Sequence, residues 1–206
     1  MYGMDRLIII GASGHGKVCA DIAEKNGYRD IFFLDDDREL RFCAGHKVVG
    51  VTAEFEKYLD SADFFIAIGN SRIRQRITEE VESAGGNLIT LVHPGAVIEK
   101  NVLIGTGSVV MAGVVINSET TVGKGGIINT SSSVDHDCRL GDYVHVAVGA
   151  HLAGAVSVGN HTWIGAGAIV SNNIRICDGC MIGAGAVVVR DIEISGTYMG
   201  VPAGIH

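Results

Sequence analysis

The stretch Val122–Ser157 reads VGKGGI-INTSSS-VDHDCR-LGDYVH-VAVGAH-LAGAVS, six consecutive hexapeptides that each begin with Val, Ile or Leu. The same phase continues without insertion from Ile98 to Ile194, and every sixth residue of this tract is aliphatic. The residue four positions after each aliphatic one is usually small or medium-sized and uncharged, as at Ser132 and Ala150. This period of six decides the fold of about half of the chain.

A period of six fits neither an α-helix nor a hairpin strand, whose side chains repeat at about 3.6 and 2 residues. It fits a chain wound as a prism, with one short strand per hexapeptide and a corner between strands. Stacked coils bury a ladder of aliphatic side chains that a single repeat cannot bury, and glycine relieves the backbone at corners. The pattern therefore predicts a left-handed parallel β-helix, an exception to right-handed crossovers. A Val-rich β-sandwich is the alternative, but its turns would interrupt the register.

The composition restricts the function classes. The chain has 206 residues, 47% of them hydrophobic, and a formal net charge of -7. A negative net charge disfavours nucleic acid or an anionic membrane as the main partner. It does not disfavour a nucleotide, because backbone N–H groups at a helix N-terminus bind phosphates. The short apolar run Leu7–Ile10 is far below signal-peptide or membrane length, so we expect a soluble, cytoplasmic protein.

The five cysteines are scattered and odd in number, which favours a reducing compartment over a disulfide framework. Cys177 and Cys180 form a C-x-x-C without a second pair. The hexapeptide phase places Cys180 at an inward small-residue position, so packing is the better interpretation. We expect no metal.

The N-terminal part alternates strands and helices, which is typical of a parallel α/β sheet. His93-Pro94-Gly95 interrupts this alternation, so we expect a small Rossmann-like domain over residues 1–93 and a left-handed β-helix over residues 94–206. The predicted elements are strands at Arg6–Ile10, Ile31–Leu34, Phe64–Ile68 and Leu88–Val92, and helices at Val18–Asn26, Ala53–Leu59 and Ser71–Ala84.

The glycine-rich turn Gly11–Lys17, which reads GASGHGK, allows three interpretations. It satisfies the phosphate-loop pattern, but Val18 stands where a Ser or Thr hydroxyl must hold magnesium. It also follows the first strand and opens a helix, as a Rossmann nucleotide turn does, with Asp35 about twenty residues on, where an acid meets a ribose hydroxyl. The third possibility is a tight βα turn without a ligand.

His136 lies between two carboxylates, Asp135 and Asp137, at an outward position near a corner. A carboxylate that accepts from one imidazole nitrogen fixes the tautomer and raises the basicity of the other, which is what a general base needs. A solvent-facing histidine among acids is the alternative. His145 and His151 end successive hexapeptides and thus lie on different sides of the prism, which argues against zinc chelation within one chain but leaves an interface site open.

Together these segments resemble the sugar acetyltransferases of the sialic-acid and bacillosamine type, and within them the UDP-4-amino-sugar N-acetyltransferases. The resemblance spans essentially the whole chain. The residues that carry it are GASGHGK at Gly11–Lys17, Asp35-Asp36, Ile68-Gly69-Asn70, His93-Pro94, Ile128-Asn129-Thr130-Ser131-Ser132, Val134-Asp135-His136-Asp137 and Gly200-Val201-Pro202-Ala203.

The resemblance implies a homotrimer that binds acetyl-CoA along the β-helix between subunits and a nucleotide-linked amino sugar, with uridine as the expected base, on the N-terminal domain. It implies His136 as general base and Asp137 as its supporting acid. The implied substrate-binding residues are Ser13, Gly14, His15, Asp35, Asp36, Asn70 and Asn129, and the implied acetyl-CoA contacts are His145, Gly154, Ala166 and Ala184.

Two positions depart from the family pattern. Asp137 stands where the bacillosamine enzyme has a longer Glu, so that either Asp137 or Asp135 could support the base. Gly204 stands where a Lys commonly follows Val-Pro-Ala, which removes a basic contact to CoA phosphates. The leading hypothesis is N-acetylation of a nucleotide-linked amino sugar for bacterial surface glycan or glycoprotein synthesis. The alternatives are O-acetylation of a sialic acid or related sugar, and a non-catalytic trimeric nucleotide-binding scaffold.

Overall fold

The computed structural model describes residues 5–205 and divides the chain into two compact units, Met1–Val92 and His93–His206. The division falls one residue before the boundary expected from the sequence.

The first unit is built on a six-stranded sheet with the strand order β3-β4-β2-β1-β5-β6. β1 is central and pairs in parallel with β2 and β5, and its residues Leu7–Ile10 are fully buried. The predicted parallel α/β sheet is confirmed. The strands of this sheet are β1 (Arg6–Ile10), β2 (Asp30–Leu34), β3 (Phe42–Cys43), β4 (His46–Gly50), β5 (Asp63–Ile66) and β6 (Asn87–Leu88), and a short strand outside it, β7 (Leu91–Val92), follows.

Two α-helices, α1 (Gly14–Lys25) and α2 (Ser71–Ser83), and one 3₁₀ helix (Thr52–Tyr58) complete the unit. α1 begins four residues before the predicted start, because Ser13 is extended and Gly14 already opens the first turn. The segment predicted as an α-helix near residues 53–59 is the 3₁₀ helix. The antiparallel hairpin β3–β4 was not predicted, since residues 42–50 carry no clear apolar alternation.

The second unit winds sixteen two-residue strands around three faces, and successive strands of one face, eighteen residues apart, pair in parallel. The predicted β-helix is confirmed. Face 1 comprises β10 (Val109–Val110), β13 (Ile127–Ile128), β16 (His145–Val146), β19 (Trp163–Ile164) and β22 (Met181–Ile182); face 2 comprises β8 (Val97–Ile98), β11 (Val115–Ile116), β14 (Ser133–Val134), β17 (His151–Leu152), β20 (Ile169–Val170) and β23 (Val187–Val188); face 3 comprises β9 (Leu103–Ile104), β12 (Thr121–Val122), β15 (Arg139–Leu140), β18 (Ser157–Val158) and β21 (Arg175–Ile176).

Glycine serves the prism in two ways. Gly125 has a positive φ at a corner, as predicted, but other corners use non-glycine residues in the same left-handed conformation. Gly123 instead allows close approach between coils, because a Cβ there would lie 2.6 Å from the carbonyl carbon of Gly141 in the next coil. The glycines that directly follow the aliphatic residues are therefore required mainly for spacing between coils.

The period of six ends before Ile194. That side chain is 69% exposed, and Ile192 takes the inward position with a parallel bridge to Ile176, sixteen rather than eighteen residues earlier. Asp191 accepts a hydrogen bond from the backbone N–H of Arg175 at 2.9 Å, which holds the shortened segment. The prediction that Ile194 points inward is wrong. The chain ends in β24 (Thr197–Met199) and β25 (Gly204–Ile205), which pair antiparallel.

Candidate active site

His136 and Asp137 form a hydrogen-bonded pair at the corner that follows β14. The distance from His136 Nδ1 to Asp137 Oδ2 is 2.7 Å, and both side chains are 60% exposed. Asp137 has a φ of +59°, a left-handed conformation that Asp tolerates better than most residues. The short Asp side chain therefore reaches the imidazole of the preceding residue. With Nδ1–H donating to the carboxylate, Nε2 carries the lone pair.

Asp135 has a different role from Asp137. One of its oxygens, Oδ1, accepts from Asn117 Nδ2 at 2.6 Å and from the backbone N–H of His136 at 2.8 Å, so Asp135 fixes the backbone beneath the ring. Hydrogen bonding to Asn117 lowers the pKa of Asp135. The hydrogen bond to Asp137, together with the charge of Asp135, raises the pKa of His136 above its ordinary value. Of the two carboxylates left open by the sequence, Asp137 contacts the imidazole.

Gly154 lies one coil beyond His136 and forms the surface against which the imidazole rests. A Cβ on Gly154 would lie 2.7 Å from both Nε2 and Cε1 of the ring. The backbone N–H of Ala155 donates to the carbonyl of His136 at 2.8 Å. Gly154 was expected at the acetyl-CoA site, but within this chain its neighbour is the histidine.

Asn129, the residue after β13, meets His145 of the adjacent strand β16 on face 1. The backbone N–H of Thr130 donates to Asn129 Oδ1 at 2.8 Å, which directs the amide Nδ2 toward His145 Nε2 at 3.1 Å. Since Nδ2 can only donate, Nε2 accepts, and this assigns the tautomer of His145. The ring of His145 is buried against Trp163, with the ring centroids 4.1 Å apart. Sequence reasoning did not single out Trp163.

Ala166 and Ala184 lie one above the other on the corner that follows face 1, and both are exposed. The backbone N–H of Gly185 donates to the carbonyl of Ala166 at 2.9 Å, which links the two coils. His145 belongs to the face that leads to this corner. Gly154 and His136 belong to the corner that follows face 2. The four expected acetyl-CoA contacts are therefore divided between two corners of the prism.

In the first unit, the glycine-rich turn and Asp35 form one structure. The backbone N–H of Ala12 donates to Asp35 Oδ2 at 2.7 Å, and the N–H of Asp37 donates to Oδ1 at 2.9 Å. A Cβ on Gly16 would lie 2.1 Å from the carbonyl oxygen of Gly11, so only glycine fits there. Ser13 is the N-cap of α1, and its side chain makes no capping hydrogen bond to the described residues. Gly14, the first residue of α1, is exposed.

His15 is neutral at physiological pH. Burial, reinforced by the charge of Arg74, lowers its pKa to about 4. The Sγ of Cys19 lies 3.7 Å from His15 Nε2. Arg74 itself is fully buried, and its Nη1 donates to the carbonyls of Ile68 and Gly69 at 2.8 Å each. Arg74 therefore fixes the turn at the carboxyl end of β5, a function that sequence reasoning missed.

Two of the expected substrate-binding residues also have structural partners. Asp36 Oδ1 accepts from the backbone N–H of Thr52 at 2.9 Å. Asn70 is the N-cap of α2, where its Oδ1 accepts from the N–H groups of Arg72 and Ile73 at 3.1 Å each. Within residues 5–205 these bonds involve neither Oδ2 of Asp36 nor Nδ2 of Asn70, so both atoms are available for a ligand.

A cavity of about 310 Å³ opens beside Asp35. The hairpin β3–β4 and the loop before it supply much of its wall, which explains why the sequence did not indicate it. The lining residues are Asp35, Asp37, Arg38, Leu40, Arg41, Val48, Gly50, Val51 and Glu54.

Residues 5–205 contain no group of three or more His, Cys, Asp or Glu residues placed to hold a metal ion. None of the helices in this range combines the length and apolarity needed to cross a membrane.

A triangular β-helix of hexapeptides with a hydrogen-bonded histidine–carboxylate pair at one corner defines the class of left-handed β-helix acyltransferases. The family models agree with both units. Residues 6–81 match the PglD N-terminal domain, and residues 155–190 match the bacterial transferase hexapeptide (six repeats).

Curated relatives give the family. The chain is 31% identical over 156 residues to GDP-perosamine N-acetyltransferase of Escherichia coli O157:H7, covering 73% of this chain and 71% of that protein. It is 34% identical over 113 residues to UDP-N-acetylbacillosamine N-acetyltransferase of Bacillus subtilis (strain 168). This match covers 53% of this chain and 52% of that protein, so the chain matches about half the length of this relative.

Solved structures are similar over nearly the whole chain. The acetyltransferase domain of PglB from Neisseria gonorrhoeae FA1090, in complex with acetyl coenzyme A, has a TM-score of 0.95 and 40% identity over 99% of this chain and 100% of that one. PerB from Caulobacter crescentus, in complex with CoA and GDP-perosamine, has a TM-score of 0.93 and 38% identity over 100% of this chain and 98% of that one. The chain belongs to the acetyl-CoA-dependent sugar N-acetyltransferases that act on nucleotide-linked amino sugars.

Proposed function

We propose that this chain transfers the acetyl group of acetyl-CoA to the amine of a nucleotide-linked amino-deoxy sugar, with His136 as the general base. The observation that carries this proposal is the 2.7 Å hydrogen bond between His136 Nδ1 and Asp137 at an exposed corner. It leaves Nε2 basic and accessible, and the raised pKa of His136 increases its affinity for a proton.

The chemical step follows from this tautomer. The neutral amine attacks the thioester carbonyl carbon, and Nε2 of His136 takes the proton that the nitrogen loses. The tetrahedral intermediate then collapses, the C–S bond breaks, and the imidazolium returns the proton to the CoA thiolate. The products are the N-acetylated sugar and CoA. Asp137 stabilises the imidazolium that forms between the two proton transfers.

Acetyl-CoA is proposed to lie along the corner that carries Ala166 and Ala184, with His145 and Asn129 at its acetyl end. Ala166 and Ala184 are small and exposed, so they leave room for an extended ligand beside the backbone. The Asn129–His145 hydrogen bond holds two polar groups beside that corner, and we assign Asn129 a further contact to the acceptor sugar.

The nucleotide is proposed to bind to the first unit. The first turn of α1 presents backbone N–H groups at Ser13, Gly14 and His15, which suit a diphosphate. Asp35 and Asp36 lie at the carboxyl end of β2, where an acidic residue contacts the ribose in Rossmann sites. Asn70 offers its Nδ2 from the turn after β5.

A homotrimer is part of the proposal. His136 and Gly154 lie on one corner of the prism, whereas His145, Ala166 and Ala184 belong to another, so one chain does not gather all the residues assigned to one transfer. A second copy that places its own corner beside the first completes the site. Because acetyl-CoA is a cytoplasmic metabolite, we place the reaction in the cytoplasm.

The test is acetyl transfer by the purified protein, followed by release of the CoA thiol. UDP- and GDP-linked 4-amino-4,6-dideoxy sugars serve as acceptors and free sialic acid as the comparison. We expect release with a nucleotide-linked amine and a loss of at least about a hundredfold in His136→Ala. His46→Gln, a histidine of the first unit paired with Glu24, is the control and should retain activity.

Other results would overturn parts of the proposal. Release with sialic acid alone would indicate O-acetylation. Full activity in a folded His136→Ala protein would refute the base. Absence of acetyl-CoA binding would favour the non-catalytic scaffold, and sedimentation of a monomer under assay conditions would refute the trimer.

A further inference from the structure

The cavity beside Asp35 is lined by the acidic residue that follows β2, the position from which a Rossmann-type site contacts the ribose of its nucleotide. Asp35 connects the glycine-rich turn to the end of β2 through its bond to Ala12, and the backbone N–H of Asp35 donates to the carbonyl of Gly50 at 3.0 Å. The diphosphate, ribose and base of a bound nucleotide extend in this order from the first βα turn past the acidic residue. The cavity of about 310 Å³ is lined by that acidic residue, so it offers space for the base beside the ribose position.

The charged groups of this cavity are carboxylates and guanidinium groups. Asp37 Oδ1 accepts from the backbone N–H of Glu39 at 3.0 Å, and within residues 5–205 its Oδ2 has no hydrogen-bond partner. Arg41 donates through Nη1 to the carbonyl of Arg38, which fixes one guanidinium group at the cavity and leaves its other donors available. Arg38 lines the same cavity, and Arg41 is the arginine whose guanidinium group is held there by this hydrogen bond.

These two groups discriminate between bases. A carboxylate pairs best with two adjacent donors, and guanine presents them as N1–H and the 2-amino group. A guanidinium group pairs best with two adjacent acceptors, and guanine presents them as O6 and N7. Uracil has a single donor, N3–H, between two carbonyl oxygens, and those oxygens repel a carboxylate. Adenine presents mixed donor–acceptor edges that suit amide side chains instead.

We infer that the nucleotide carrier of the sugar is a guanosine diphosphate, with Asp37 accepting from N1–H and the 2-amino group and Arg41 donating to O6 and N7. The apolar side chains Leu40, Val48 and Val51 provide walls for the faces of the purine. This inference rests on the proposed function, and it departs from uridine, the base that the sequence resemblance implies.

The first measurement is calorimetric binding of GDP, UDP, IDP and 7-deaza-GDP to the purified protein. IDP lacks the 2-amino group and 7-deaza-GDP lacks N7, so each probe removes one assigned contact. We expect GDP to bind at least about tenfold more tightly than each of the other three. Equal or tighter binding of UDP would overturn the inference and leave the acetyl-transfer result untouched. Binding of neither GDP nor UDP would refute the nucleotide site itself.

Matched variants then test each residue. The quantities compared are the ratios of the GDP affinity to the IDP affinity and to the 7-deaza-GDP affinity, which do not change when part of the protein is unfolded. Asp37→Asn should abolish the preference for GDP over IDP and keep the preference over 7-deaza-GDP. Arg41→Ala should do the reverse. Arg29→Ala, an exposed arginine of the same unit outside the cavity, should leave both ratios unchanged. If both ratios survive in Asp37→Asn and Arg41→Ala, these residues do not select the base.

Discussion

The imidazole of His136 rests on the α-carbon of Gly154 in the next coil, so that a single added methyl group would lie 2.7 Å from Nε2. Real Cβ atoms do not approach a ring so closely, and the ring would have to move. The position of the proposed base thus depends on the absence of a side chain eighteen residues away.

Gly154→Ala should therefore impair catalysis without unfolding the protein. The φ of Gly154 is not in the left-handed region, so alanine adds no backbone strain, but it must displace the imidazole. We expect kcat to fall at least about tenfold, since misplacement of about 1 Å can cost a hundredfold, with an unchanged circular dichroism spectrum. Gly204→Ala, where a Cβ meets nothing within 4 Å, is the control. Wild-type kcat in Gly154→Ala would show that the observed position of the ring is not required.

Asp137→Asn should change the pH dependence of acetyl transfer. A general base acts in its neutral form, so kcat/KM should rise with pH through the pKa of His136, which Asp137 holds above 6.5. Without this carboxylate the pKa of His136 falls, so the rising limb moves to lower pH, while the maximal rate drops by about a hundredfold or more. Asp137→Glu keeps the charge and should retain most of the activity. An unchanged pH profile in Asp137→Asn would show that the pair does not tune the base.

His15 should make stability depend on pH. Its pKa is near 6.5 in the unfolded chain and about 4 in the folded one, so between these values the unfolded chain binds more protons. The stabilisation is complete above about pH 6.5 and is lost as the pH falls toward 4, with a total of about 3 kcal/mol. Urea unfolding at pH 7 and pH 5 measures the loss, and His15→Gln should reduce it. An equal pH dependence in both proteins would contradict the shifted pKa.

Trp163 should report occupancy of the proposed acetyl-CoA site. It is the single tryptophan of the chain, and its indole lies 4.1 Å from the ring of His145, centroid to centroid. A ligand that contacts His145 changes the surroundings of the indole, so titration with acetyl-CoA should shift or quench its emission. Trp163→Phe provides the blank. If saturating acetyl-CoA leaves the emission constant, the thioester does not bind beside His145.

The fold could be predicted to the extent that it depends on side-chain periodicity. The aliphatic residues from Ile98 to Val188 report the coil directly, because each one must point inward. Ile194 belongs to the same numerical series, yet Ile192 takes the inward position. The last segment is held by the hydrogen bond between Asp191 and the backbone of Arg175, which the periodicity of the sequence does not predict.

The candidate site was predicted in part. His136 and its two acidic neighbours could be identified from the sequence, but the choice of Asp137 depends on its left-handed backbone, which turns the carboxylate toward the ring. Arg74 could not be assigned to the turn at Ile68–Gly69, because a buried arginine on an amphipathic helix looks like a surface residue in sequence. The cavity beside Asp35 depends on the hairpin β3–β4, and its residues show no alternation of apolar and polar side chains from which the strands could be predicted.

Because one coil of the β-helix contains eighteen residues, side chains separated by a multiple of eighteen residues point in the same direction. An insertion of eighteen residues within the β-helix lengthens it by one coil, about 4.8 Å, and leaves every later side chain pointing in its former direction. An insertion of six or twelve preserves the hydrophobic pattern and the packing, but turns all later residues by one or two sides. A change placed between Asn129 and His145 would thus break that pair while the hydrophobic register remained intact. Lengths that differ by whole turns are the ones this architecture can tolerate.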